Sequence, residues 1–154
     1  MIDIFEEINM REKAVIIKAV LNDLPEWFGM PEAIQEYINC GREYPLYVAS
    51  VDGKAVGFIS LKETSTKTVE LYCMGVKKEY HHQGIGRLLV DKVKQIYTEN
   101  YEYLQVKTVA RGYYPQYDKT IQFYESVGFC ELEIFSTLWD EWNPCLVMVQ
   151  KLEK

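Results

Sequence analysis

Apolar residues in the first forty positions recur with the spacing of one helix face. The first such face is formed by positions i, i+1, i+4 and i+5, namely Val15, Ile16, Ala19 and Val20. This pattern predicts a helix that ends near Pro25, preceded by a short strand at residues 2–5. A second helix is predicted at residues 31–39, with Pro31 in its first turn and Gly41 as a stop beyond its end.

From residue 46 onward the apolar residues come in short runs rich in β-branched and aromatic side chains. Residues 46–51 and 55–61 flank Asp52-Gly53, a pair typical of the tight turn in a β-hairpin. A third run at residues 68–76 extends the two strands into an antiparallel meander.

The second half of the chain alternates helix and strand patterns. An amphipathic helix is predicted to begin at Ile85, and strands are predicted at residues 103–110 and 145–152. The last strand is long enough to be central in a sheet. Asp118 is placed to cap another helix, which Gly128 ends in a left-handed turn.

Length and composition indicate one ordinary globular domain. The 154 residues are 48% hydrophobic and 26% charged, and no linker, repeat or low-complexity segment divides them. A single domain over residues 1–154 is therefore expected. The net charge of −6 disfavours a nucleic acid partner and is compatible with a cationic substrate such as an amine.

The cysteines and the N-terminal segment indicate the cellular compartment of the protein. The four cysteines lie at least 15 positions apart, so no CxxC pair begins a zinc or thioredoxin-type site, and we expect reduced thiols and no metal. The first residues are acidic where a signal peptide is basic, and no apolar stretch approaches the ~20 residues of a membrane span. A cytoplasmic protein without a membrane partner is therefore expected.

Two glycines stand where a strand is followed by a helix. Gly84 and Gly86 precede the helical pattern, and a helix N-terminus with exposed N–H groups binds anions when glycines let a phosphate approach. Arg87 adds a cation in the first turn. Leu89 stands where a dinucleotide-binding fingerprint needs a small residue, and a P-loop's Gly-Lys-Ser/Thr is absent. An ordinary tight turn is the alternative.

The segment His81-His82-Gln83-Gly84-Ile85-Gly86 resembles the central motif of the GNAT superfamily of acetyl-CoA-dependent N-acetyltransferases, which reads Gln/Arg-x-x-Gly-x-Gly/Ala. A second family element, a helix ending Phe-Tyr before a Gly-Phe step, is similar to residues 123–129. The resemblance covers residues 46 to 152. His81 replaces the family's Gln or Arg, and Tyr117 replaces an Asn often found six residues before the Phe.

The resemblance implies a mixed α/β GNAT fold, with a mostly antiparallel sheet of about six to seven strands, a splayed strand pair and about four flanking helices. Acetyl-CoA would lie between the strands at 68–76 and 103–110, with CoA as product. The backbone of Met74 and Val76 would pair with the pantetheine arm and the thioester. Tyr124 would protonate the leaving thiolate. The cofactor-binding residues implied are Met74, Gly75, Val76, His81, His82, Gln83, Gly84, Ile85, Gly86, Arg87, Leu88 and Tyr124.

The attacking amine must lose a proton, because an alkylammonium is charged at neutral pH. Glu70 is the leading candidate base, since it lies six residues before Val76 on the same face of a strand. His81 and a water molecule are the alternatives. Direct attack on the thioester in a ternary complex is expected, because Cys73 faces away from Glu70 and cannot carry the acyl group.

The acceptor, a primary amine of a small molecule or peptide, is expected to contact the aromatic and acidic residues of variable segments. They are Trp27, Phe28, Tyr113, Tyr114, Tyr117, Trp139, Asp140, Glu141 and Trp142. Two alternatives remain: a non-catalytic module that binds or senses acetyl-CoA, and an interaction protein without a ligand. A homodimer is a further expectation from the family.

Overall fold

Helices and strands lie close to where the apolar pattern predicts them, except for the strand Cys130–Asp140, which the sequence pattern did not predict. The computed structural model describes residues 1–140 and 142–153. A single 3₁₀ turn, Lys78–Tyr80, follows the fourth strand within these residues. In chain order the elements are β1 (Ile2–Glu7), α1 (Met10–Asn22), α2 (Pro31–Gly41), β2 (Leu46–Val51), β3 (Lys54–Glu63), β4 (Thr68–Val76), α3 (Ile85–Tyr97), β5 (Tyr103–Val109), α4 (Pro115–Ser126), β6 (Cys130–Asp140) and β7 (Asn143–Lys151).

Strand pairing gives a seven-stranded sheet in the order β1-β2-β3-β4-β5-β7-β6. The pairs β1–β2, β2–β3, β5–β7 and β6–β7 are antiparallel, and β4–β5 is parallel, with Thr68 to Leu71 opposite Tyr103 to Val106. The mixed α/β class with a mostly antiparallel sheet is confirmed. The last strand lies between β5 and β6, so its predicted central position is confirmed as well.

The chain divides into two compact units. The first comprises residues 1–62 and 72–96, and the second comprises residues 63–71 and 97–154. The expectation of a single domain stays a prediction.

The core of the first unit forms where α1 packs on the strands. Ile17, Val20 and Leu21 are buried there together with Leu46 and Phe58. The predicted hairpin is confirmed. The residues of its turn, Asp52 and Gly53, have φ of 51° and 81°, and a type I′ turn requires positive φ at both positions.

Gly41 does not lie beyond the end of α2 as the sequence suggested. It is the last residue of the helix, which Arg42 caps. A Cβ atom at Gly41 would come within 2.8 Å of the Ile17 Cδ1 atom, so the glycine permits the close contact between α2 and α1. Packing, and not helix termination, explains this glycine.

The second unit corrects the predicted start of α4. Asp118 was expected to cap this helix, but the helix begins at Pro115 with Tyr114 as its N-cap residue. The Asp118 carboxylate instead accepts a hydrogen bond of 3.0 Å from the Gly112 backbone N–H, which closes the preceding turn. Gly128 follows the helix with φ of 109°, as predicted for a left-handed C-terminal turn.

Among the described residues, no helix combines the length and the apolar character that crossing a membrane would require.

Candidate active site

The glycine turn precedes α3 in the first unit. His82 and Gly84 both have positive φ, 63° and 80°, so the chain turns sharply before the helix begins at Ile85. A Cβ atom at Gly84 would meet nothing within 4 Å. The glycine therefore satisfies a backbone requirement and leaves open space in front of the turn.

The first turn of α3 presents backbone donors. The Leu88 N–H donates to the Gly84 carbonyl at 3.0 Å, which is the first i to i−4 bond of the helix. The N–H groups of the residues before Leu88 thus precede the helical ladder, at the end of the helix where its dipole is positive. Arg87 and Leu88 are exposed beside them. This arrangement suits a phosphate or pyrophosphate.

His81 is fixed against the end of β4. Its Nε2 atom lies 2.5 Å from the Val76 carbonyl oxygen, which can only accept, so Nε2 is the donor of this hydrogen bond. The Trp27 ring packs edge-on against His81 at a centroid distance of 6.1 Å. The Gln83 side chain donates to the Glu79 carbonyl at 3.2 Å. His81 thus holds the loop to the strand that precedes it.

The strand β4 separates a core face from a half-buried face. Cys73 and Gly75 are buried, and a Cβ atom at Gly75 would come within 3.0 Å of Val20 and Leu24 side-chain atoms in α1. Burial raises the pKa of the Cys73 thiol far above its ordinary value, which supports the exclusion of Cys73 as an acyl carrier. Met74 and Val76 are half-buried on the alternate positions.

Tyr72 on that half-buried face belongs to an aromatic cluster that the sequence prediction missed. Its ring packs edge-on against Tyr37 at 5.5 Å and Tyr44 at 5.1 Å, and Tyr37 packs against Phe28 at 5.6 Å. Burial and a hydrogen bond with Cys40 raise the pKa of Tyr72 well above its ordinary value, so its hydroxyl remains a donor. The period of two along β4 could have identified Tyr72, but its partners are remote in sequence.

Glu70 is a buried carboxylate in the second unit. Its side chain is only 7% exposed. The Gln105 amide donates to Oε1 at 2.8 Å, and the Lys107 ammonium lies 3.2 Å from the same oxygen. Both contacts fall on Oε1 and fix the orientation of the carboxylate. Gln105 and Lys107 were missed because the sequence does not give the register of β4 against β5.

Cys145 adds a buried thiol close to this ion pair. Burial raises its pKa to about 11, the Lys107 charge lowers it, and the Glu70 charge raises it. The thiol is therefore protonated at neutral pH and is a poor nucleophile.

Tyr124 is buried near the end of α4. It is 7% exposed, and its ring packs against Phe123 at 5.7 Å and Phe129 at 5.6 Å. The Phe129 N–H donates to the Tyr124 carbonyl at 3.0 Å across the Gly128 turn. The two sequence elements Phe123-Tyr124 and Gly128-Phe129 thus pack against each other.

The sequence of residues 42–131, more than half of the chain, matches the family model described as the acetyltransferase (GNAT) domain. The chain belongs to the GNAT acetyltransferase family. The predicted family is therefore confirmed.

Relatives agree with this assignment. An N-alpha-acetyltransferase of Sulfurisphaera tokodaii is 26% identical, with 89% of this chain and 86% of that protein covered. An uncharacterized N-acetyltransferase of Chlorobaculum tepidum is also 26% identical, over 64% of this chain, and the chain spans only 58% of its length.

Solved structures show the GNAT fold. A crystal structure of a GNAT family protein from Desulfovibrio desulfuricans has a TM-score of 0.83 at 18% identity, covering 99% of this chain and 100% of that one. A GNAT family acetyltransferase from Elizabethkingia anophelis, solved with acetyl-CoA bound, has a TM-score of 0.75 at 18% identity, with 98% of each chain covered.

Of the residues expected to meet the acceptor, Trp27 and Phe28 are half-buried and pack against the core of the first unit. Their role in binding the acceptor stays a prediction. Three others in the second unit are exposed: Tyr113 by 54%, Tyr114 by 37% and Trp139 by 45%. Glu141 lies outside the described residues.

The two units of this GNAT domain carry different parts of the expected machinery. Residues of the first unit that were expected to hold the cofactor are Met74, Gly75, Val76, His81, His82, Gln83, Gly84, Ile85, Gly86, Arg87 and Leu88. Glu70 and Tyr124, which were expected to move protons, belong to the second unit.

Proposed function

We propose that this chain transfers the acetyl group of acetyl-CoA to a primary amine by direct attack in a ternary complex. The buried carboxylate of Glu70 carries the proposal. A sensing module needs only the phosphate-binding turn, whereas a buried carboxylate that is oriented through its Oε1 atom is suited to accepting a proton. Family membership and the glycine turn support the cofactor.

The glycine turn holds the pyrophosphate in this proposal. Its N–H groups and Arg87 supply positive charge, and the open space at Gly84 admits an anion. The backbone groups of Met74 and Val76 bind the pantetheine arm. The Val76 carbonyl already accepts from His81, so the Val76 N–H is the group that polarises the thioester.

The proton transfers are assigned to Glu70 and Tyr124. Glu70 accepts the proton that the amine loses, directly or through water, while the amine nitrogen forms its bond to the acetyl carbonyl carbon. The bond from that carbon to sulfur then breaks, and Tyr124 gives its hydroxyl proton to the departing CoA thiolate. Lys107 and Gln105 are positioning residues that orient the Glu70 carboxylate. His81 stays an alternative base, because its hydrogen bond with Val76 engages Nε2 and not Nδ1.

The acceptor is proposed to meet the exposed aromatics Tyr113, Tyr114 and Trp139, which suit a cationic amine. The Sulfurisphaera relative is an N-alpha-acetyltransferase, so peptides with a free N-terminus belong among the acceptors to be tested. We further propose the cytoplasm as compartment, supported by four free cysteines. Self-association of two copies is part of the same proposal.

Thiol release from acetyl-CoA tests the function. The purified chain is incubated with acetyl-CoA and a panel of polyamines, amino acids, aminoglycosides and short peptides, and free CoA is measured with a thiol reagent. We expect amine-dependent release with at least one class. Stabilisation of the chain by acetyl-CoA without release from any amine would favour the sensing module, and no binding of CoA would contradict the cofactor assignment.

A further inference from the structure

Two acidic residues follow α1 directly, at the end of the helix where its dipole is negative. Asp23 is the C-cap residue of α1, and Glu26 lies in the segment after it. Acidic side chains are unfavourable at a helix C-terminus, and the last turn of α1 contains no basic residue that could compensate them. The local sequence therefore does not explain these carboxylates, and a partner elsewhere in the first unit does.

That partner is Lys78, which contacts both carboxylates. Its backbone N–H donates to Oδ2 of Asp23 at 2.7 Å, and its ammonium forms an ion pair with Glu26. The hydrogen bond with Lys78 lowers the pKa of the Glu26 carboxyl below its ordinary value, so Glu26 is charged at neutral pH. Lys78 begins the 3₁₀ turn from which the chain continues to Gly84.

Trp27, from the same segment, contacts the same loop. Its ring packs edge-on against His81 at a centroid distance of 6.1 Å, and His81 is bonded to the Val76 carbonyl. Residues 23–27 thus contact the loop at residues 77–84 near its beginning and near its middle. None of residues 77–84 is buried, so apolar packing does little to fix the loop, and these contacts determine its conformation.

We propose that Asp23, Glu26 and Trp27 are positioning residues for acetyl-CoA. They hold the loop at residues 77–84 in the conformation that presents the N–H groups of the glycine turn to the pyrophosphate. This role rests on the proposed function, in which the turn binds the pyrophosphate. A loop that is already ordered loses less conformational entropy when its ligand binds, so these contacts raise the affinity for acetyl-CoA.

The same contacts connect the cofactor loop with the acceptor side. Trp27 and Phe28 follow Glu26 directly in sequence, and both were expected to meet the acceptor. Because the Trp27 ring packs against His81, a change in the loop on binding of acetyl-CoA reaches Trp27. The cofactor therefore alters the environment of a residue that is expected to bind the second substrate.

A charge exchange between Glu26 and Lys78 tests the positioning role. Glu26→Lys and Lys78→Glu each replace attraction by repulsion and should each weaken CoA binding about 5-fold in titration calorimetry. The double variant restores the ion pair in reverse and should bind CoA within about 2-fold of the wild-type chain, which also shows that the substitutions leave the fold intact. Long-range attraction of the negatively charged CoA alone predicts the opposite sign for Glu26→Lys, which adds positive charge. Tighter or unchanged binding by Glu26→Lys would overturn the proposal.

Asp23 allows a test by conservative substitution. Asp23→Asn retains an oxygen that accepts from the Lys78 N–H and should bind CoA within about 2-fold of the wild-type chain, whereas Asp23→Ala should bind it about 3-fold more weakly. Equal affinities of the two variants would remove Asp23 from this role. The matched control Glu43→Lys makes the same charge change as Glu26→Lys at an exposed position of the turn after α2 and should leave the affinity unchanged.

Trp27 fluorescence tests the connection to the acceptor side. In a background of Trp139→Phe and Trp142→Phe, Trp27 is the only tryptophan of the chain. We expect titration with CoA to change its emission, with the same Kd that calorimetry gives. Unchanged emission while calorimetry records binding would contradict this connection.

These measurements need no acceptor, so they separate the positioning role from the proposed function. CoA binding by the wild-type chain that no substitution of Asp23, Glu26 or Lys78 changes would contradict the positioning role alone. Absence of CoA binding by the wild-type chain would contradict both.

Discussion

The glycine turn before α3 and the Glu70 cluster are built in opposite ways. The turn uses backbone N–H groups and positive φ at His82 and Gly84, whereas the cluster uses three side chains from two strands, Glu70, Gln105 and Lys107. A backbone site tolerates substitution of its neighbours, because every residue type except proline supplies an N–H. A side-chain site depends on each member.

The largest effect is expected from Glu70→Gln. Loss of the proton acceptor should lower kcat by about 10²- to 10⁴-fold and shift the pH–rate profile toward alkaline values, where the free amine is more abundant. Steady-state kinetics from pH 6 to 10 would measure both. Glu32→Gln, in an exposed position of α2, serves as the control. An unchanged profile would remove Glu70 as the base.

Tyr124→Phe should lower kcat by about 10²-fold, because the thiolate would leave without its proton donor. The KM for acetyl-CoA should change far less, since the ring still packs between Phe123 and Phe129. Tyr103→Phe, at an exposed position of β5, is the matched control. A rise in KM with unchanged kcat would assign Tyr124 to binding instead.

Lys107→Met tests whether the ion pair orients the base. It should lower the free energy of unfolding by about 2 kcal/mol, less than the ~3–5 kcal/mol of a fully buried pair, since the Lys107 side chain is 34% exposed. It should also reduce kcat. Urea denaturation measures the loss of stability, and steady-state kinetics measure kcat. Lys67→Met breaks the exposed pair with Glu102 and should cost under about 0.5 kcal/mol. Equal stability losses would argue against a special role for Lys107.

Gly84→Ala probes the backbone site. The positive φ should cost about 1 kcal/mol of stability, and the new methyl group should weaken acetyl-CoA binding about 10-fold by blocking the open space. Gly53→Ala carries the same strain at the hairpin turn, with φ of 81° and nothing near its Cβ position. Titration calorimetry with acetyl-CoA should show weaker binding only for Gly84→Ala. The same affinity in both would contradict the phosphate assignment.

The smallest effect is expected from His81→Gln, which restores the family's usual residue. Gln also donates a hydrogen bond, so the affinity for acetyl-CoA should change less than about 2-fold, whereas His81→Ala should cost about 5-fold through loss of the bond to Val76. A large loss in His81→Gln would show that the imidazole itself has a role in the chemistry.

The sequence predicted what short-range signals determine. The Asp52-Gly53 turn, the start of α3 at Ile85 and the Gly128 turn follow from local conformational rules and are confirmed. Asp118 and Gly41 were misread, because the Asp118 side chain closes the turn at Gly112 instead of capping the helix, and Gly41 lies against Ile17 of another helix. The partners of Glu70 and Tyr72 depend on strand register and helix packing, which no local pattern encodes.

The position of β7 between β5 and β6 determines the order in which these strands can pair during synthesis. The hairpin of β6 and β7 joins neighbouring segments, whereas the pairs between β5 and β7 join residues roughly 40 positions apart in sequence. β6 therefore leaves the ribosome before the strand that will flank it. Until β7 follows, the backbone of β6 lacks the strand with which it pairs, so the chain is prone to misassembly in this interval.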